Sequence, residues 1–264
     1  MIRFSAHLEM NFGSAYSFAE RWQSAAHSQF QACEFVWRQH GLSEVLALRE
    51  KNQMAITCLG GTTGFAVDGG RPLLTRPEDR EWLVRDVQEA IDYAQQINCP
   101  NLVFVPGNLH SDWSIERHRQ EAVNSFSAVA PLLEAAGVTA VLEPLNSKVD
   151  HRGIYCDTSA EAFRIVEQVG SKNVKILYDI YHMQIMEGNL IDTIRAHHAL
   201  IGHYHVARVP GRNEPLGGEV NLPAVLQAIE ETGYQGFVGM EYSPTGETIE
   251  SFKQLREAYP ASFG

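Results

Sequence analysis

Glu143, Asp179, His205 and Glu241 each interrupt a short apolar run, and they stand 36, 26 and 36 residues apart. The runs read Val141-Leu142-Glu143-Pro144, Leu177-Tyr178-Asp179-Ile180, His203-Tyr204-His205-Val206 and Gly239-Met240-Glu241-Tyr242. Spacings of about one strand–helix unit place all four groups at the same end of successive parallel strands, the C-terminal end, where barrels of alternating strands and helices carry their sites. Three carboxylates converging there would raise one another's pKa values unless a positive charge offset them. No nearby cluster of Lys or Arg is large enough, so one divalent cation is the economical answer. A set of three oxygen donors and one nitrogen, without thiolate, suits Mg²⁺ or Mn²⁺ better than a structural zinc site, with Co²⁺ and Zn²⁺ still open. Alone, each residue has an ordinary reading, the Asp as a helix cap and the His as a satisfied core side chain. Four coincidences in four consecutive units favour the shared site.

The elements that must position these groups alternate from end to end. Strand-type runs fall at Ile2–Leu8, Ala32–Trp37, Ala55–Leu59, Asn101–Val105, Thr139–Leu142, Val174–Tyr178, Gly202–Val206 and Phe237–Met240. Between them, apolar residues recur three and four apart, as at Val84, Val87, Ile91 and Ala94, which is the helical period. The expected helices are Tyr16–Ala26, Leu42–Lys51, Asp79–Ile97, Ile115–Ala135, Ser159–Val169, Leu190–Leu200, Leu222–Thr232 and Thr248–Ala258. Thr158-Ser159 with Glu161, Gly137, and Asn221 before Leu222-Pro223 supply the expected caps. Eight units in 264 residues, about 33 each, predict an α/β fold: a (β/α)8 TIM barrel forming a single domain over residues 1–264. A doubly wound open sheet is disfavoured because Glu9-Met10-Asn11-Phe12-Gly13, not a Gly-rich phosphate loop, follows the first strand. The longest stretch without a pattern, Gly60–Pro77, would lie over the C-terminal face as a lid, a substrate wall or an idle excursion.

Composition narrows the partners. The chain carries 21 Lys and Arg against 32 Asp and Glu, a net charge of −11, which argues against a nucleic-acid backbone. With 44% hydrophobic residues it can bury a large core. Cys33, Cys58, Cys99 and Cys156 are too scattered for a zinc ribbon or a disulfide scaffold and read as reduced core residues. The N-terminal residues lack a signal peptide's apolar stretch, and no run is long enough to span a bilayer, so the expectation is a cytoplasmic protein without membrane contact. Self-association into a homo-oligomer stays open.

Leu142-Glu143-Pro144-Leu145-Asn146, the run Tyr178-Asp179-Ile180-Tyr181-His182-Met183-Gln184 and the following Glu187-Gly188-Asn189-Leu190 resemble the hydroxypyruvate isomerase family. So do Pro210-Gly211-Arg212-Asn213-Glu214-Pro215, Gly218-Glu219-Val220-Asn221 and the tail from Gly233 to Tyr242. That family belongs with the xylose-isomerase-like barrels and is related to ketose epimerases of the tagatose-3-epimerase type. The resemblance implies a one-metal isomerase in which Glu143, Asp179, His205 and Glu241 hold the ion and Glu143 and Glu241 form the acid/base pair. His205 departs from the Gln expected of hydroxypyruvate isomerases and matches the epimerases instead. The loop Pro210–Pro215 points back to the hydroxypyruvate type.

Shifting a carbonyl by one carbon requires proton removal next to it, giving an enediolate whose oxygen charge a divalent ion stabilises. Carboxylates on strands five and eight approach from different sides, so one can take the proton and the other return it. The expected substrate is hydroxypyruvate, giving 2-hydroxy-3-oxopropanoate (tartronate semialdehyde). Isomerisation of 2-oxo-tetronate or 3-epimerisation of a ketose would use the same intermediate. A sugar dehydratase, an endonuclease and a barrel that only binds a metabolite are the readings from other classes. Substrate anchoring falls to His182, three residues past Asp179, and to Arg212, whose planar fork suits a carboxylate. The alternatives are a capping or core histidine and a solvated loop arginine. His27, His40, His118, His197 and His198 read as surface residues. Trp37, Trp113 and Phe65 are candidate walls of the mouth, or simply barrel packing.

Overall fold

Eight parallel strands close on themselves in sequence order in the computed structural model, which describes residues 1–65 and 70–263. They are β1 (Arg3–His7), β2 (Ala32–Val36), β3 (Ala55–Gly60), β4 (Asn101–Phe104), β5 (Thr139–Leu142), β6 (Val174–Asp179), β7 (Ile201–Val206) and β8 (Phe237–Met240). Their limits match the sequence expectations to within one residue. Around them run α1 (Phe18–His27), α2 (Leu42–Asn52), α3 (Arg80–Gln96), α4 (Ile115–Ala136) and α5 (Ser159–Val169). The ring continues with α6 (Ile180–Met186), α7 (Leu190–His197), α8 (Leu222–Glu231) and α9 (Thr248–Ala258). Closure is set by β1 pairing with β8, with Ser5 opposite Gly239.

The expected caps are in place. Thr158 accepts from the Glu161 amide, Asn221 from the Ala224 amide, and Gly137 closes α4 at a φ of +68° that few side chains tolerate. Two features of the helices depart from expectation. The helix expected over Leu190–Leu200 ends at His197, and its last three residues tighten into a 3-10 turn. Helix α6 was not anticipated at all: Asp179 accepts from the Tyr181 amide and starts a helix directly from the strand end.

Alternation along the strands divides the core in two. Outward residues such as Phe35, Phe104 and Tyr178 pack under the helices with the fully buried Trp22. A separate inner cluster consists of Cys58, Val103, Val141 and Leu177, one each from β3 to β6. Across the barrel the corresponding inward positions are polar or bare: His203, Gly239, Ser5 and Glu34 on β7, β8, β1 and β2. One half of the interior is therefore an apolar plug and the other a polar column.

All four cysteines are buried and free. No described helix is long and apolar enough to cross a membrane. Three histidines expected at the surface are not simply there. His118 is fully buried, donating from Nδ1 to the Ser114 carbonyl at 2.8 Å and accepting the His110 amide at 2.8 Å. His40 is half-buried, stacked on Phe18 and 3.1 Å from Glu9, and His197 stacks on Phe163. The surface reading missed them because an imidazole beside an aromatic face packs as a ring while its nitrogens find partners. Of the stretch Gly60–Pro77, residues 66–69 lie outside the described residues. Its described part is tied to β4, with Thr63 accepting the Val105 amide at 2.8 Å.

Candidate active site

The inward positions at the C-terminal ends of the strands build the site. Two residues beyond the inner-layer Val141, Leu177, His203 and Gly239 come Glu143, Asp179, His205 and Glu241, on the same face of their strands. Each of the four offers a donor atom within 4.8 Å of the others. His7 holds the corresponding position on β1, its Nε2 3.7 Å from Glu241 Oε1. Three of the four, Glu143, His205 and Glu241, line with His7, Glu9, Val36 and Gly60 a small cavity of about 270 Å³ at the barrel mouth.

Asp179 and His205 are each held through one atom while another faces the site. Asp179 Oδ1 accepts the Tyr181 amide at 2.7 Å, so the helix-cap role and the site role belong to different oxygens of one carboxylate. His205 Nε2 lies 2.8 Å from Glu34 Oε2, which assigns a proton to Nε2 and turns Nδ1 toward the cavity, 3.8 Å from Glu143 and 3.5 Å from Glu241. Glu143 Oε1, Asp179 Oδ2 and His205 Nδ1 are all buried without a hydrogen-bond partner. Buried polar atoms are nearly always satisfied, and three orphans converging on one point are what a cation's ligands look like. The donor set therefore fits a divalent ion.

The electrostatics agree. Burial, followed by the charges of Glu241 and Glu143, pushes Asp179 up to about 8. Burial also works against Glu241, but Arg212 and His205 hold it well below the usual carboxylate range. For His205, burial is overcome by Glu241 and Glu34, and its pKa is raised well above that of a free imidazole. Arg212 and His205 alone thus do not accommodate a third carboxylate charge. Glu34 itself is buried but kept ionised by His203 and His205.

His182 and Arg212 both reach the site. His182 is fully buried on α6, and its Nδ1 accepts from the Asn146 backbone amide at 3.2 Å, with the Asn146 side-chain nitrogen at 2.7 Å. That leaves Nε2–H facing Asp179 Oδ2 at 3.5 Å. Burial and the charge of Arg212 lower its pKa well below that of a free imidazole, so it is a neutral donor. Arg212, at a positive φ of 54° in the loop after β7, donates from Nη2 to Glu241 Oε2 at 2.5 Å, and its Nε is buried without a partner. It is not a solvated loop arginine. The loop carrying it is fastened to the loop after β8: Ser243 donates to the Arg212 carbonyl, Asn213 to the Ser243 carbonyl and the Thr245 amide to Glu214.

Of the candidate walls, Phe65 stacks on His151 at 5.4 Å, and His151 packs at the same distance against His182, so this aromatic row borders the site. Trp37 instead packs on Tyr93 and Arg38, and Trp113 on His110 and Arg117, so neither is a wall of the described cavity. Sequence reasoning missed His7, Glu34 and Asn11. The first two were within reach, since both interrupt apolar strands as the recognised four do. Asn11 had no signal. It is fully buried, donating to the Met240 and Tyr242 carbonyls at 2.8 and 2.9 Å and accepting the His7 amide at 2.9 Å. It pins the backbone on both sides of Glu241. Asn11→Ala leaves these groups buried and unpaired, and urea unfolding is expected to show a loss of about 2–3 kcal/mol; a change under about 0.5 kcal/mol would mean that other groups hold the β8 end.

Fold and site together define a parallel eight-stranded barrel whose C-terminal mouth holds three carboxylates, one imidazole, a neutral histidine donor and an arginine. The chain belongs to the xylose isomerase-like TIM barrel family, whose model matches residues 21–258. It is 32% identical over 249 residues to the hydroxypyruvate isomerase of Escherichia coli (strain K12), covering 94% of this chain and 96% of that one. It is 30% identical over 257 residues to the 2-oxo-tetronate isomerase of Cupriavidus necator, covering 97% and 98%. A crystal structure described as AP endonuclease, family 2 from Brucella melitensis superposes with a TM-score of 0.89 at 27% identity, covering 97% of this chain and 99% of that one.

Proposed function

We propose that the chain is a divalent-metal-dependent isomerase of small hydroxy-oxo acids, interconverting hydroxypyruvate and 2-hydroxy-3-oxopropanoate with Glu143 and Glu241 as the acid/base pair. The observation that carries this reading is the convergence of three unpartnered buried donor atoms beside Glu241, Arg212 and His182. Glu143, Asp179, His205 and Glu241 would hold the cation, Mg²⁺ or Mn²⁺ by donor type. When bound, it supplies Lewis-acid stabilisation of negative charge on substrate oxygen.

The side chains account for the rest. Arg212 pairs with the substrate carboxylate, and His182 Nε2–H donates to the carbonyl oxygen. One glutamate removes a proton from C3, leaving an enediolate. The other delivers a proton to C2, while the hydroxyl proton moves from O3 to O2, so atoms and charge balance. The two glutamates come from strands three places apart in the barrel, and the substrate lies between them. The 270 Å³ cavity and the apolar plug beneath it suit a compact acid shielded from water.

The second reading is 2-oxo-tetronate isomerisation or ketose 3-epimerisation, favoured by the imidazole of His205 among the donors. Both similar isomerases act on acids by name, and Arg212 gives an acid a partner. Hydrolysis of nucleic acid is disfavoured by the −11 charge and by a four-donor set with a single imidazole.

The test is incubation with Mn²⁺ or Mg²⁺ in D₂O, followed by proton NMR, with hydroxypyruvate, four-carbon oxo acids and ketohexoses as the panel. Deuterium entry and product formation with hydroxypyruvate are expected, lost on chelation and restored by Mn²⁺. Turnover of ketohexoses alone would transfer the reading to the epimerases, and no exchange with any substrate would end it.

A further inference from the structure

Glu34 lies at the centre of the polar half of the barrel interior, one layer below the metal-site residues. It is 2% exposed, and the salt bridges of the described residues give it no Lys or Arg partner. Its carboxylate collects three hydrogen bonds: His205 Nε2 at 2.8 Å to Oε2, and His203 Nε2 at 3.1 Å and the Ser5 hydroxyl to Oε1. His203 is backed in turn by the Tyr234 hydroxyl, 3.4 Å from Nδ1. The strand between them makes room. A Cβ on Gly239 would lie 2.5 Å from Glu34 Oε1 and 2.6 Å from His205 Cδ2, so only glycine lets the carboxylate and the imidazole meet across β8.

We propose that Glu34 is the positioning residue of the metal site, fixing through His205 Nε2–H the tautomer and ring orientation that point Nδ1 at the cation. A neutral imidazole has two tautomers, and only the Nε2–H form presents a lone pair from Nδ1. A carboxylate accepting from the far nitrogen selects that form and makes the near nitrogen a better donor. Ser5 and His203 hold Glu34 against rotation, which leaves Oε2 fixed on His205. Glu34, His203 and His205 also lie close enough to hold an ion of their own. Their nitrogen and oxygen atoms, however, are already paired with one another, whereas Glu143 Oε1, Asp179 Oδ2 and His205 Nδ1 have no partners. The column is thus a support and not a second metal site.

The inference rests on the metal-dependent reading above, and one titration separates the two. Metal-free wild-type protein, Glu34→Gln and Glu34→Leu are titrated with Mn²⁺ alone, free Mn²⁺ being read from its EPR signal. Circular dichroism of the metal-free proteins checks the fold. Wild type is expected to bind one equivalent. Glu34→Gln keeps an acceptor for His205 but loses the charge, and its dissociation constant is expected to rise about 10-fold. Glu34→Leu frees the tautomer, and about 100-fold is expected. In the proteins loaded with diamagnetic Mg²⁺, the His205 Nε2–H proton should be far downfield and slow to exchange in wild type and Glu34→Gln. It should move upfield and exchange faster in Glu34→Leu, where it has no acceptor, a change that loss of stability alone would not produce. If Glu34→Leu does not fold, the Gln variant decides. Affinities within twofold of wild type, with a wild type that binds one equivalent, overturn the positioning role while leaving the metal reading intact. Two equivalents, one of them lost in Glu34→Gln, overturn it in favour of a second metal site. A wild type that binds none overturns both.

Discussion

Glu143→Gln and Glu241→Gln are each expected to lower kcat for hydroxypyruvate by about 10³-fold, within the span of general acid–base catalysis. Glutamine keeps an oxygen for the cation and nearly the same volume, so Mn²⁺ binding should weaken far less than turnover. The two variants should also differ from each other. The variant lacking the group that removes the C3 proton shows neither exchange nor product. The variant lacking the group that delivers to C2 washes deuterium into substrate without forming product. Glu241 is the better candidate for the first step, because Arg212 at 2.5 Å and His205 hold it ionised against its burial. Glu143 Oε1 is buried without a hydrogen-bond partner, and no Lys or Arg of the described residues pairs with it as Arg212 does with Glu241. Proton NMR in D₂O separates the two defects, and retention of more than a tenth of wild-type turnover by either variant would rule out the two-carboxylate mechanism.

What the sequence made legible follows from where period and position coincide. Glu143, Asp179, His205 and Glu241 were visible because a charged group at the end of an apolar strand is costly unless it has a purpose. The same argument held for His7 on β1 and Glu34 on β2. Helix α6 was hidden because Asp179 ends the strand and caps the helix at once, leaving no loop between Val174–Asp179 and Ile180–Met186 to mark the change of period. Asn11 was hidden for a different reason: its partners, the Met240 and Tyr242 carbonyls, are backbone groups at the far end of the chain, and backbone acceptors leave no trace in side-chain type. His118 and His40 were misplaced because histidine reads as polar in a sequence, whereas packing against Trp113 and Tyr155 or against Phe18 buries the ring. The apolar plug of Cys58, Val103, Val141 and Leu177 was present in the strand runs, but which half of the barrel it fills depends on register.

In the proposed reaction Arg212 would let a chain of net charge −11 receive an anion, and its removal should have the second largest effect. Three carboxylates with one divalent ion leave a single negative charge, and the guanidinium beside Glu241 cancels it. His182, kept neutral by burial and by Arg212, adds a donor without adding charge. In the proposed reaction an acid substrate meets ligands and a guanidinium whose charges cancel, with a buried Arg212 Nε that has no hydrogen-bond partner among the described residues. Arg212→Ala removes a charge-assisted, two-point contact to the substrate carboxylate, and kcat/KM for hydroxypyruvate is expected to fall about 10²-fold. Arg212→Lys should recover only part of this, since an ammonium has no planar fork. Because Arg212 also holds Glu241, some general loss is expected, and the discriminating measurement is a ratio. Inhibition by the dianion tartronate should weaken about 10²-fold in Arg212→Ala, and inhibition by the neutral dihydroxyacetone by much less. Equal weakening of both would assign Arg212 to the support of Glu241 alone and would move the preferred substrate from hydroxy-oxo acids toward uncharged ketoses.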